Sequence, residues 1–175
     1  MDQAQDQDQA QDQPVCAVAP SAEAWLVPML HESLDSVCQI EREVYPHPWS
    51  RANFSDVISY GYHARMLQSG PQIMGYFVAM AGFEEVHLLN MTLATPFRQQ
   101  GWARVMLDAL QVWARAQGAH TLWLEVRQSN LRAQKVYQAN GFQAISERRD
   151  YYPADNGQRE HAIVMSRSLM SGDTV

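Results

Sequence analysis

The chain is short of lysine, of cysteine and of long apolar runs. Lys135 is its only lysine. No Lys-Ser or Lys-Thr therefore follows a glycine loop, which excludes the GxxxxGK[ST] phosphate loop of ATPases. The two cysteines, Cys16 and Cys38, stand far apart, with no CxxC and no histidine pair at zinc spacing. Neither a disulfide framework nor a bound metal is expected, and both thiols read as structural. No uninterrupted apolar stretch approaches the ~20 residues of a membrane span. The N-terminus lacks the basic start, apolar middle and small-residue cleavage site of a secretory signal. No membrane partner is expected, and the chain reads as cytoplasmic. Basic charge is scarce too, with 13 Lys and Arg against 19 Asp and Glu and a net charge of -6. A nucleic-acid binder carries a basic face, so no nucleic-acid partner is expected.

What is present suffices for one domain. At 175 residues and 46% hydrophobic, the chain can bury one core with a tail to spare. The opening run MDQAQDQDQAQDQ has no large apolar residue beyond its initial Met, and Asp2, Asp6, Asp8 and Asp12 account for much of the net negative charge. Such a segment cannot offset its ordering entropy. Residues 1–20 are expected to be a disordered tail, 21–170 the folded domain and 171–175 a flexible C-terminus.

Leu34, Val37, Cys38, Glu41 and Val44 keep the rhythm of a helix that Pro46 and Pro48 should end. Ser50 suits the N-cap of a second helix, with Phe54, Val57 and Ile58 facing inward. Between them, His47-Pro48-Trp49-Ser50 reads as a rigid connector, either a pocket wall or a packed corner. Strands are expected at 63–68, 72–81 and 86–93, and their short connections imply antiparallel pairing. A helix over 102–116, a strand over 121–126, a helix over 131–139 and two closing strands over 142–151 and 161–168 complete the order. This is an α/β (α+β) chain, a mixed central sheet with helices on both faces.

Arg98-Gln99-Gln100-Gly101-Trp102-Ala103 lies where the third strand gives way to the long helix. Glycine permits close approach, and the unpaired amides of a first helical turn favour a polyphosphate. An ordinary strand-to-helix turn is the competing reading. Glu125 is the one acid in an otherwise apolar strand, Leu122-Trp123-Leu124-Glu125-Val126. It is either a proton acceptor at a cleft, or a carboxylate paired with Arg127 or another base. Asn130 reads as a helix cap and Tyr137 as a half-buried aromatic, but loop, acid, Asn and Tyr together converge on one end of the sheet, where ligands bind.

These residues resemble the GNAT acetyltransferases, whose Q/R-x-x-G-x-G/A loop is matched by Arg98 to Ala103. A narrower resemblance is to bacterial acetyltransferases of ribosomal-protein N-terminal alanine. It is carried by Pro48-Trp49-Ser50, Leu122 to Arg127, Ser129-Asn130, Tyr137 with Asn140-Gly141-Phe142, and Arg148-Arg149-Asp150-Tyr151-Tyr152-Pro153. The likeness runs from about Leu34 to Ser168. It implies the GNAT acyl-CoA N-acyltransferase fold and acetyl-CoA as co-substrate, with no metal. It also implies that Gln99, Gln100, Gly101, Trp102, Ala103 and Arg104 hold the pyrophosphate through backbone amides, while Met91, Thr92 and Leu93 hold the pantetheine arm. Glu125 becomes the general base, Tyr137 the general acid and Asn130 a cofactor contact. Trp49, Tyr151 and Tyr152 become walls for the acceptor, the N-terminus of a ribosomal protein, by resemblance protein eighteen of the small subunit. Trp102 is bulky for its slot, and packs either against the cofactor's adenine or against the sheet. A GNAT of small amines or lysine side chains, and a non-catalytic acyl-CoA-binding module, are the alternatives.

Overall fold

Four residues are too few to announce a strand by periodicity, yet the sheet begins with one. The computed structural model describes residues 23–170, and the expected Asp/Gln tail, Cys16 and the expected C-terminal tail lie outside them. β1 (Trp25–Pro28) pairs antiparallel with β2 (His63–Ser69), β2 with β3 (Gln72–Ala81), and β3 with β4 (Glu85–Leu93). β4 then pairs parallel with β5 (Thr121–Arg127), the one parallel pairing among the described strands. β6 (Gln143–Pro153) returns by β7 (Arg159–Ser168), which inserts between β5 and β6 to give the order β1-β2-β3-β4-β5-β7-β6.

Helices cover both faces. α1 (Leu34–Val44) and α2 (Arg51–Ser59) bury Leu34, Val37 and Phe54 against Met66, Tyr76 and Val78 on one face. α3 (Trp102–Ala116) and α4 (Leu131–Ala139) pack Met106, Leu107, Leu110 and Tyr137 against Leu88, Leu122 and Leu124 on the other. α2 starts where Ser50 caps it. Its hydroxyl accepts from the Asn53 amide at 3.2 Å while Asn53 Oδ1 accepts from the Ser50 amide at 2.9 Å, a reciprocal capping box.

One irregularity positions everything that follows. β4 and β5 are paired only from Glu85–Thr121 to Leu88–Leu124, although β4 runs on to Leu93 and β5 to Arg127. Across β3, Val78 is opposite Asn90 and Ala79 opposite Leu88, so Leu89 is the extra residue of a bulge. A bulge bends its strand and sharpens the local twist, and here it turns the end of β4 away from β5. A cleft opens between the two strands. Gly75 keeps β3 against the diverging end of β4, because a Cβ there would stand 2.4 Å from the Thr92 carbonyl oxygen.

On the α3 face, His63 of β2 stacks on Trp113, with ring centroids 3.9 Å apart and planes 5° from parallel. Burial, with Arg65 nearby, holds its imidazole down at about 4, below the ~6.5 of an unfolded chain. The folded state thus disfavours the proton, and this contribution to stability is present above about pH 6.5 and lost as pH falls toward about 4. The thermal midpoint should drop by about 5 °C between about pH 6.5 and about pH 4.5, and by less in His63→Phe. Circular dichroism melts read this, and identical slopes for the two proteins would refute it.

Candidate active site

The cleft between β4 and β5 holds two adjoining cavities of about 590 Å³ and 650 Å³. The first lies under the α1–α2 connector, with Glu41, Trp49, Asn90, Glu125 and Tyr152 in its wall. The second extends toward the start of α3, with Thr92, Leu93, Arg98, Gln99, Ala103 and Arg132 in its wall. Tyr45, Met91, Arg127, Asn130 and Tyr137 line both. They mark the junction at which the two cavities adjoin.

The second cavity ends on amides. Gln99 at φ 62 and Gly101 at φ 85 both adopt left-handed backbone, which curls the loop tightly before α3. Arg98 Nε fastens it to the Leu93 carbonyl at 3.1 Å. The first amide of α3 to reach a backbone acceptor is that of Arg104, on Gly101 at 3.0 Å, and those before it are left for a ligand. Beyond Leu88, the edge of β4 that faces β5 has no strand partner among the described residues, so backbone groups there can bond a ligand's amides. Open amides, an open strand edge and the cations Arg98 and Arg132 suit an elongated molecule that is amide-bearing at one end and anionic at the other.

Glu125 reaches the first cavity because β5 alternates. Leu122, Leu124 and Val126 point into the core, which turns Glu125 to the opposite face, where its side chain is 12% exposed. Its carboxylate is paired, and the partner is Arg148 of β6, with Nη2 at 3.2 Å from Oε1. Arg127 is taken by Glu160, at 3.0 Å. The Arg148 side chain is half exposed and also lies over the Tyr151 ring, 5.3 Å from its centroid.

Tyr137 sits on α4, which starts where Asn130 Oδ1 accepts from the Ala133 amide at 3.1 Å. Its ring packs against Phe142 with centroids 5.7 Å apart. Burial pushes its phenol well above the ordinary tyrosine range, and the neighbouring Tyr45 and Tyr152 push the same way. The hydroxyl keeps its proton at neutral pH, which fits a donor and not an acceptor. Tyr152 is raised likewise by burial and by Tyr151, and donates to the Glu125 carbonyl at 3.0 Å.

The expected site residues divide. Met91, Thr92, Leu93, Gln99, Ala103 and Asn130 line the second cavity, and Trp49, Glu125 and Tyr152 the first. Tyr151 stands outside, 39% exposed, edge-on to Tyr152 at 5.0 Å. Gln100 bonds the Pro96 carbonyl at 2.8 Å, and Arg104 pairs with Asp108 at 3.7 Å, both at the surface. Gly101 caps α3 by its backbone. The Trp102 indole is buried in the α3 core with its Nε1 unpartnered, so of the two orientations it takes the one toward the sheet. Glu41, Tyr45 and Asn90 were not singled out from the sequence as site residues. The one sequence signal for Glu41 is a carboxylate inside the apolar stripe of α1.

Residues 34–142 match the Acetyltransferase (GNAT) family. Among curated proteins, the chain is similar to the ribosomal protein bS18-alanine N-acetyltransferase of Haemophilus ducreyi, 33% identical over 141 residues, 81% of this chain and 97% of that one. Among solved structures it is similar to the ribosomal-protein-S18-alanine N-acetyltransferase from Escherichia coli, with a TM-score of 0.77 and 28% identity over 87% of this chain and 99% of that one. A Vibrio cholerae spermidine N-acetyltransferase chimera shares the fold at a TM-score of 0.73 and 13% identity, covering 85% of this chain and 96% of that one. Fold alone therefore does not select the acceptor.

Proposed function

The chain belongs to the acetyltransferase (GNAT) family, and from that membership we propose that it transfers acetyl from acetyl-CoA to the α-amino group of an N-terminal alanine. The acceptor is a ribosomal protein, bS18 by the names of its relatives, modified in the cytoplasm by a catalytic domain spanning 21–170. The observation that carries this reading is the junction of the two cavities, with Glu125 on one side and Tyr137 in both walls.

In this reading the second cavity takes the donor and the first the acceptor. Acetyl-CoA supplies the acetyl group as a thioester. The open amides from Gln99 to Ala103 hold its pyrophosphate, and the unpaired edge of Met91 to Leu93 aligns its pantetheine arm, with Asn130 beside it. Trp49 and Tyr152 wall the acceptor's first residues, and Tyr151 supports Tyr152 from outside. An α-amine with a pKa of about 8 is mostly protonated at neutral pH, so a base must take a proton before it attacks. Glu125 takes it, and Tyr137 gives its own proton to the departing sulfur. Nitrogen gains the acyl bond as sulfur loses it, and no nucleophile on the enzyme intervenes.

Initial rates with three acceptors test the reading: a peptide beginning with alanine, the same peptide with a blocked terminus but an internal lysine, and spermidine. Acetylation of the free terminus at least about 100-fold faster than of the others is expected, a ratio of ~2.7 kcal/mol in transition-state binding. Faster transfer to lysine or spermidine would replace the acceptor in this reading.

A further inference from the structure

Glu41 is 2% exposed, yet it stands in the wall of the acceptor cavity. Three groups reach its carboxylate and all donate. The Trp49 amide and Asn90 Nδ2 reach Oε1 at 3.0 and 3.3 Å, and the Tyr76 hydroxyl reaches Oε2. That is the donor set of an ionised carboxylate. Asn90 cannot turn its amide around freely, because its Oδ1 is bonded to Thr92 Oγ1 at 3.1 Å, and Thr92 is bonded in turn to the Tyr45 hydroxyl at 3.1 Å. The network fixes a negative charge on the floor of the cavity.

Among the described residues, that charge has no cation within ion-pair distance. None of the ion pairs among the described residues includes Glu41, whereas the other carboxylate of the cavity, Glu125, is already compensated by Arg148. A buried charge without a counter-ion is costly, and the cost falls when a cationic ligand enters the same space. On the reading that the cavity accepts an amine, we propose that Glu41 is a positioning residue that draws in and holds the acceptor's protonated amine. Glu125 then removes the proton. The two carboxylates divide the work because the oxygens of Glu41 are occupied by donors, while Glu125 has only the half-exposed Arg148 to displace.

The titratable and charged groups facing this space are Tyr45 at the C-cap of α1, Tyr76 on β3, His47 in the connector, Glu125 and Arg127 on β5, Tyr137 on α4 and Tyr152 on β6. Burial, with Glu41 adding to it, pushes the Tyr76 phenol upward. Burial raises Tyr45, Tyr137 and Tyr152 too, so all four phenols stay neutral as pH rises toward 9. The acceptor amine, near about 8, changes charge in that range.

The test compares binding of an alanine-starting peptide with binding of its N-acetylated form, by calorimetry with coenzyme A present, in wild type, Glu41→Gln and Glu125→Gln. Wild type should prefer the free amine at neutral pH, and the preference should fade by about pH 9.5 as the amine loses its charge. Glu41→Gln should weaken the free-amine peptide about tenfold or more, leave the acetylated peptide and acetyl-CoA within about twofold, and so abolish the preference. Glu125→Gln should retain it. Equal weakening of both peptides in Glu41→Gln marks a merely structural role and overturns the proposal. Loss of the preference in Glu125→Gln alone also overturns it, and that arm decides even if Glu41→Gln fails to fold. Should spermidine and not the peptide bind wild type, the acceptor reading fails by itself, and spermidine with its acetylated form serves as the pair. A wild type indifferent to the free amine overturns the Glu41 proposal outright.

Discussion

Glu125→Gln is expected to lower kcat/KM for an alanine-starting peptide about 100-fold at neutral pH, the low end of what a positioned general base contributes. Glutamine is nearly isosteric and still accepts from Arg148, whose guanidinium lies 3.2 Å from the native carboxylate. The local packing should hold, and the thermal midpoint should stay close to that of wild type. What disappears is the proton acceptor. The defect should therefore depend on pH in one direction. Near neutrality only about one amine in ten is already unprotonated, so the base is needed; above about pH 9 most amines arrive neutral, and the variant should recover most of the lost rate. The measurement is kcat/KM for both proteins from about pH 6.5 to about pH 9.5. A constant ratio across that range would remove Glu125 from the base role and leave it as a partner for Arg148.

Tyr137→Phe is expected to slow turnover about 100-fold while acetyl-CoA affinity changes by less than about twofold. The ring is buried and packed against Phe142 at 5.7 Å, so phenylalanine fills the same space and the start of α4 at Asn130 is undisturbed. Only the hydroxyl is lost. Because burial raises the native phenol well above its ordinary range, its hydroxyl is protonated throughout the working pH range and available as a donor to the sulfur while charge builds there and the C–S bond breaks. Without that proton the sulfur departs as a bare thiolate. Calorimetry for acetyl-CoA, beside single-turnover rates, separates the possibilities. A fall in affinity large enough to explain the whole rate loss would make Tyr137 a binding contact.

All the helices of the two faces and every strand but β1 were legible in the sequence because each is encoded locally. The apolar stripe and terminal prolines delimit α1, Ser50 caps α2, and an apolar face marks α3. Local spacing also nominated the loop ahead of α3, the lone acid of β5 and the pair Asn130 and Tyr137 on α4. β1 escaped notice because four residues carry little period, and its place is set by pairing with β2, some forty residues away.

The site depended on distances along the chain that no local pattern spans. Insertion of β7 beside β5 brings Arg148 to Glu125, where sequence proximity suggested Arg127. The bulge at Leu89 separates β4 from β5 and makes a cleft out of two strands. The same topology gathers Glu41, Tyr76 and Asn90 from α1, β3 and β4 into one buried network. Periodicity reports which way a side chain points relative to its own element. Which charges meet, and which is left without a partner in a cavity, follows from the order and splay of the strands, and that only the tertiary structure decided.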